Sequence, residues 1–399
     1  MSIVEIKNSI LNGNVTIPPS KSAAHRALIC SYLAGGGSVS PIIDSNDMRA
    51  TVGVIDALKN NEDVMNCIES GSTLRFMIPV VASLGRRATF IGEGRLPERP
   101  IGEYLDILPK HNVKVDSNGY LPMTIDGQLR NGSYEVNGDV SSQYITGLLL
   151  ALANVEGDSA VILKTPLQSK PYVDMTVKVM ADFGVNITET DFGYLIHGGQ
   201  EFKKQDYIVE GDWSQSAFFL VAGAIGGDVK VSGLDMNSTQ GDKAIVDVLK
   251  SFGADVEVGK DYVISRKSKL TGTTVDATDI PDLVPIIAVL GAFSNGKTTI
   301  KGAERLRFKE SDRIESVVNN LRLMGVDVTE TKDGMIINGS KPHGADLKGY
   351  NDHRIVMAFS VAGLFCDGDV RIDDAQSINK SYPTFFDDYN MLGGKANVL

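Results

Sequence analysis

Three stretches of the chain decide its fold: ADFGVNIT (residues 181–188), KSFGADVEV (250–258) and RLMGVDVTE (322–330). Each reads as the end of a helix, a glycine, and then a β-like run. Gly184, Gly253 and Gly325 stand 69 and 72 residues apart. Stepping 72 residues back from Gly184 reaches Asn112 in PKHNVKV, and stepping 68 forward from Gly325 reaches Gly393. Glycine and asparagine are the residues that most readily take the left-handed conformation closing a helix. A shorter, degenerate first copy is expected to end near Asn61.

Two further markers share the period. Turns at Gly36, Gly85, Gly157, Gly227, Gly296 and Gly368 lead into short strand-like runs such as GDVKVSG. Each follows an apolar stretch of about a dozen residues, from AHRALICSYLA to HRIVMAFSVAGLF, whose length and composition predict a buried helix. Hairpin partners follow most units, as in GYLPMTIDG and DGMIING. The predicted unit is helix, strand, helix, strand, strand, roughly 70 residues long and repeated six times, because units of this size bury their faces only by stacking. The expected class is α/β (α+β) in two similar lobes of three units each: residues 14–209 form the first lobe, and residues 1–13 plus 210–399 the second.

Composition narrows the function. A length of 399 residues suits two or three domains and a core that needs no disulfide staples. The net charge of −11 argues against a protein that tracks nucleic-acid phosphates. Cys30, Cys67 and Cys366 are sparse, odd in number and never at CxxC spacing, so neither a zinc cluster nor a disulfide framework is expected, and a cytoplasmic setting fits. The five histidines show no metal-ligand spacing, and neither metal nor cofactor is expected. The N-terminal MSIVEIKNSILNGNV has no basic segment followed by an apolar core, so no secretory signal is read there.

Each apolar helix is preceded by a polar loop: PPSKSAAHR, ESGSTLR, VSSQYIT, GDWSQS, ATDIPD and YNDHR. Ser, Asp, Asn and Pro at these places cap helices. The same helix ends present unpaired N–H groups and a positive dipole, which suit anions. Lys21, Arg26, Arg75 and Arg354 at these starts favour convergence on phosphate and carboxylate. Arg95 and Arg99 lie in the proline-stiffened GEGRLPERPIGEY, as forks for an anion or as a solvated loop. RLRFKESDRIESV places Lys309, Glu310 and Arg313 at one-turn spacing, as a solvated helix face or a mixed acid–base site. Lys380 precedes a Tyr-Pro turn. Gly291–Thr298 matches a P-loop in letters only, since a helix is predicted before it and β-branched residues after it.

Read in order, IPPSKSAAHRAL, SGSTLRF, LPERPI, SSQYITGLL, SKPYVDMT, IPDLVP, FKESDRI, NDHRIVMAF and INKSYPTF resemble the EPSP synthase (3-phosphoshikimate 1-carboxyvinyltransferase) family from about Ile17 to Tyr389. The resemblance implies the enolpyruvyl transferase fold, an inverse α/β barrel of two lobes with three βαβαββ units each. It implies joining of phosphoenolpyruvate to the 5-hydroxyl of shikimate 3-phosphate, with release of phosphate, on the route to aromatic amino acids. By motif, Lys21, Ser22, Arg26, Ser141, Ser142, Gln143, Ser169, Tyr172, Asp282 and Lys309 would hold shikimate 3-phosphate. Lys21, Gly71, Arg99, Gln143, Arg313, His353, Arg354 and Lys380 would hold phosphoenolpyruvate. Asp282 is expected as the base and Glu310 as an acid raised by desolvation, with Lys21 assisting, although the two carboxyls could exchange roles. Division of these residues between the lobes implies closure on ligands, in a protein expected to be monomeric. Where many members have Asn-Ala-Gly-Thr, this chain reads Glu69-Ser70-Gly71-Ser72. Gly71 is kept, so sensitivity to glyphosate is expected. The alternatives are a UDP-N-acetylglucosamine 1-carboxyvinyltransferase, whose reactive cysteine has no counterpart in GEGRLPERP; a P-loop nucleotide-binding protein; and a non-catalytic repeat scaffold.

Overall fold

The structure is a computed structural model describing residues 2–399. Five sheets share one plan. In the sheet spanning residues 64–127, Val64–Asn66 runs parallel to Ala88–Ile91, which pairs antiparallel with Met123–Gly127, and that strand pairs antiparallel with Val113–Asp116. Helices fill the first two crossovers, so the unit is βαβαββ, one strand more than the sequence period suggested. The same order, first strand, second, fourth, third, recurs in three of the other four-stranded sheets, and in the last one a strand from the start of the chain takes the fourth place. Asn112, Gly184, Gly253, Gly325 and Gly393 all take positive φ, from 67° to 102°, so the residues that revealed the repeat are its helix-ending turns.

By its internal contacts the chain divides into a first unit, Ser20–Val209, and a second made of the segment up to Pro19 with Glu210–Leu399. Residues 14–19, expected in the first lobe, belong to the second unit. Asn12–Thr16 lies parallel to Asp228–Ser232, with Val15 opposite Val231, and Pro19 bridges Gly211. With Val15 its only buried residue, this strand shows no alternation to read. Val4–Lys7 completes the last sheet of the second unit as its fourth strand, between Val370–Ile372 and Lys395–Val398. The degenerate first copy keeps helices Lys21–Leu33 and Asn46–Lys59 but has no hairpin; its short strand Val39–Ser40 pairs in parallel with Tyr207–Ile208.

Within each unit the apolar helices lie inside and the sheets outside. The helices Gly71–Ser83 and Ser142–Leu152 of the first unit, and Trp213–Gly226, Val284–Ala292 and His353–Gly363 of the second, are buried along nearly all of their length, and Lys21–Leu33 is buried through its middle. Strands instead alternate: in Lys297–Lys301 the two lysines are exposed while Thr298 and Ile300 are buried. Gly147 shows how closely the inner helices approach, since a Cβ there would stand 2.4 Å from the Arg75 carbonyl oxygen. The P-loop look-alike runs from a helix into a strand, the reverse of what phosphate cradling requires. Cys30, Cys67 and Cys366 are buried and unpaired, and burial pushes all three thiols up, as core residues require. No helix among the described residues is long and apolar enough to cross a membrane.

Candidate active site

The polar loops stand at the N-termini of the buried helices, and in five of the six a side chain closes the terminus. Ser20, Ser70 and Ser141 accept hydrogen bonds from the backbone N–H groups of Ala23, Thr73 and Gln143. Asp212 and Asp352 do the same for Gln215 and Arg354. The backbone is strained at several of these entries. Ile68, Ser169, Tyr350 and Asn351 take φ of 49–56°, uncommon for any residue but glycine and most unusual for β-branched Ile68. Such strain persists where surroundings over-determine it, and it clusters at functional sites.

In the first unit, the Lys21 ammonium lies 2.6 Å from the Asp47 carboxylate, both largely buried. Asp47 comes from the next helix and was not singled out in the sequence. Arg26 is buried, and burial lowers it to about 10. It donates to the Ser22 carbonyl (2.6 Å), the Tyr172 carbonyl (2.9 Å) and Thr176 Oγ1 (2.8 Å), tying the Lys21–Leu33 helix to Lys170–Asp182. Its immediate work is therefore to hold Ser22 and Tyr172 in place. Ser169 stands in a left-handed conformation at the position before the Lys170–Asp182 helix, with no side-chain capping hydrogen bond. Gln143 bridges two helix starts, donating to Ser72 Oγ at 3.0 Å and accepting from Arg75 at 2.9 Å, while Arg75 also donates to the Pro100 carbonyl.

Arg99 is buried directly over Gly71: a Cβ on Gly71 would fall 2.6 Å from its Nη1 and 2.8 Å from its Cζ. Glu69 packs against Gly94, at the root of the loop carrying Arg99. Gly71→Ala is accordingly expected to displace the guanidinium with little effect on stability, because the obstructing atoms end a flexible side chain. The Michaelis constant for phosphoenolpyruvate should rise at least about tenfold, the size of one charge-assisted hydrogen bond. Steady-state kinetics beside a thermal melt check this, and an unchanged Michaelis constant refutes it.

In the second unit one arginine gathers three carboxylates. Arg313, almost fully buried, donates from Nη1 to Asp282 (2.8 Å), from Nη2 to Glu310 (2.8 Å), and from Nε to Asp352 (2.8 Å). Arg354 holds the other Asp282 oxygen from Nη2 at 3.0 Å. Burial alone would raise Asp282, but Arg354, Lys309 and Arg313 hold it well below the usual carboxylate range. Glu310, expected as a desolvated acid, stands in an ion pair with Arg313. Lys309 and Glu310 lie between the turn Glu304–Phe308 and the helix Arg313–Leu323, so of the two readings of this run the solvated helix face does not hold there. Lys380 is buried and donates to the Asn351 carbonyl at 2.6 Å. His353 is buried, with Nδ1 3.9 Å from Asp352. Asp352, wholly buried, caps its helix while orienting Arg313 and accepting from Ser311. It was legible only as a cap.

The βαβαββ lobes and their cation-bearing helix starts define an enolpyruvyl transferase fold. The EPSP synthase (3-phosphoshikimate 1-carboxyvinyltransferase) family profile matches residues 6–65 and 46–389. The chain is 43% identical to the 3-phosphoshikimate 1-carboxyvinyltransferase of Clostridium novyi, covering 99% of this chain and 98% of that one. It is 42% identical to that of Clostridium kluyveri, covering 100% and 99%. Among solved structures, EPSP synthase from Acinetobacter baumannii superposes with a TM-score of 0.83 at 25% identity over the full length of both chains. The enolpyruvyl transferase NikO from Streptomyces tendae shares the fold, with a TM-score of 0.81 at 18% identity over 100% of this chain and 99% of that one. The chain belongs to the EPSP synthase family.

Proposed function

We propose that the protein transfers the enolpyruvyl group of phosphoenolpyruvate to the 5-hydroxyl of shikimate 3-phosphate, giving 5-enolpyruvylshikimate 3-phosphate and phosphate in aromatic amino acid biosynthesis. The observation carrying this reading is the second-unit cluster, in which Asp282 and Glu310 share Arg313 and Asp282 also holds Arg354. It combines proton-transfer groups with anion-holding groups in one network.

Both substrates are polyanions, and cations must offset their repulsion. In this reading Ser22, Arg26, Ser141, Ser142, Ser169, Tyr172 and Lys309 hold shikimate 3-phosphate, with Arg26 acting through Ser22 and Tyr172. Gly71, Arg99, Gln143, Arg313, His353, Arg354 and Lys380 hold or shape the phosphoenolpyruvate side, and Lys21 serves both. Asp282 takes the proton of the 5-hydroxyl as that oxygen bonds to C2 of phosphoenolpyruvate. An anionic substrate that engages Arg313 loosens its hold on Glu310, which takes a proton from solvent and supplies it to the methylene carbon, with Lys21 assisting. The tetrahedral adduct then loses phosphate, and one methyl proton returns to a carboxylate as the double bond reforms. With both arginines on it, Asp282 is a weak base. An anionic substrate that engages Arg354 and Arg313 offsets their charge and strengthens it, so the base gains power when the substrate is present. Glyphosate, a small phosphonate carboxylate, would compete at the Gly71–Arg99 end. We place the protein in the cytosol as a monomer, in keeping with soluble anionic substrates and unpaired buried thiols. Formation of the enolpyruvyl ether from the two substrates, read by mass spectrometry, tests this function; its absence refutes it.

A further inference from the structure

Beneath the helix starts of the first unit runs a chain of buried side chains that the proposed reaction does not use. The Lys21–Asp47 pair joins the helices Lys21–Leu33 and Asn46–Lys59 at 2.6 Å. One turn further along both helices, His25 Nδ1 meets Thr51 Oγ1 at 2.7 Å. Thr51 Oγ1 in turn lies 2.7 Å from Thr73 Oγ1, on the helix Gly71–Ser83. Thr73 Oγ1 donates to Ser70 Oγ at 2.8 Å, and the Thr73 N–H donates to the same oxygen. None of these four residues is more than 1% exposed, so water does not compete for the bonds. Counting hydrogens gives the chain one direction, because a hydroxyl has a single proton. Thr73 spends its proton on Ser70, so the proton between the two threonines belongs to Thr51. Thr51 then has none left for the imidazole, and His25 donates from Nδ1. That leaves Nε2 bare. Among the described residues this nitrogen has no partner, and a proton on it would be a buried donor without an acceptor. Burial, with Lys21 and Arg26 nearby, lowers His25 well below its usual range and keeps the ring neutral.

We propose that His25 is a positioning residue: in its Nδ1–H form it heads a one-way relay through Thr51 and Thr73 to Ser70, which fixes the Gly71 helix start against the Lys21–Asp47 pair. The proposal rests on the reading that Lys21 and Gly71 serve phosphoenolpyruvate. The His25–Thr51 bond and the Lys21–Asp47 pair are successive rungs between the same two helices, so together they set the height of one against the other. Thr51 passes that height to the third helix. Ser70 caps this helix and stands directly before Gly71, over which Arg99 lies. Bonds that all run the same way polarise one another, so the line is firmer than its members taken singly. Ser70 is also one of the residues by which this chain departs from Asn-Ala-Gly-Thr, and an alanine there has no oxygen to receive the relay.

The relay is tested on the wild-type protein without substrate, by long-range proton–nitrogen correlation NMR of the imidazoles at pH 7. His25→Asn picks out the His25 signals from those of the five histidines. They should report a protonated Nδ1 and a bare Nε2; a proton on Nε2 overturns the proposal. The positioning is tested by kinetics. Thr51→Val keeps the shape of the side chain and removes both of its bonds. The Michaelis constant for phosphoenolpyruvate should rise about tenfold, the worth of one to two neutral hydrogen bonds, while kcat stays within about threefold. Thr51→Ser restores the hydroxyl and should bring both constants to within about threefold of the wild type. A purely structural threonine would lower the melting temperature of Thr51→Val and leave its Michaelis constant unmoved, and that result also overturns the proposal. A protein that does not turn over fails the functional reading alone, since the tautomer of His25 is read without any substrate.

Discussion

Asp282→Asn lowers kcat at least about 100-fold, and Glu310→Gln does the same, in line with general acid–base contributions. Both variants keep the shape of the side chain and an oxygen facing Arg313, so the loss is chemical rather than architectural. The split between constants is informative. Asn at 282 no longer holds two guanidinium groups with a full charge, which leaves Arg354 and Arg313 stronger for an anion. The Michaelis constant for phosphoenolpyruvate should therefore stay level or fall while kcat collapses. Turnover within tenfold of the wild type in either variant contradicts the assignment.

Arg313→Met carries the largest expected loss of stability. Its removal leaves Asp282, Glu310 and the wholly buried Asp352 without their shared cation. Breaking a buried pair by deleting one partner costs about 3–5 kcal/mol. The sign of the pH dependence follows from Asp282. Its folded-state value is depressed, so the stability it contributes is present above its unfolded value of about 4 and is lost as pH falls further. The deficit of the variant should accordingly be widest near neutrality and shrink in acid, where the orphaned carboxyls protonate. Arg313→Lys keeps the charge but not the fork and should fall between. Urea unfolding at pH 7 and pH 4 reads this. A deficit below about 1 kcal/mol at neutral pH would show that the cluster is not held by its arginine.

The repeat was legible because its punctuation is local. Asn112 and the four glycines spaced from it serve as left-handed turns wherever the helices end, and no tertiary contact is needed to see them. Helix starts were equally open, since Ser and Asp caps act on N–H groups two or three residues away. What escaped depends on contacts between distant segments. Residues 14–19 join the second unit through a strand with one buried side chain, and only its pairing with Asp228–Ser232 shows where it belongs. Asp47 reaches Lys21 from a neighbouring helix, Thr176 reaches Arg26 across 150 positions, and Ser214 reaches Arg354 across 140. A buried Ser, Thr or Asp carries no periodic signal. Its role appears only when the partner's donors are followed one by one. The break at Lys309 and Glu310 escaped for a related reason: Asp312 caps a new helix there, yet within a dense charge run a capping aspartate looks like its neighbours.

The most direct measurement is phosphate release from phosphoenolpyruvate by the purified protein, with shikimate 3-phosphate, with UDP-N-acetylglucosamine, and with no acceptor. The account predicts stoichiometric release with shikimate 3-phosphate alone. Release that prefers the nucleotide sugar, or that proceeds without any acceptor, would contradict it.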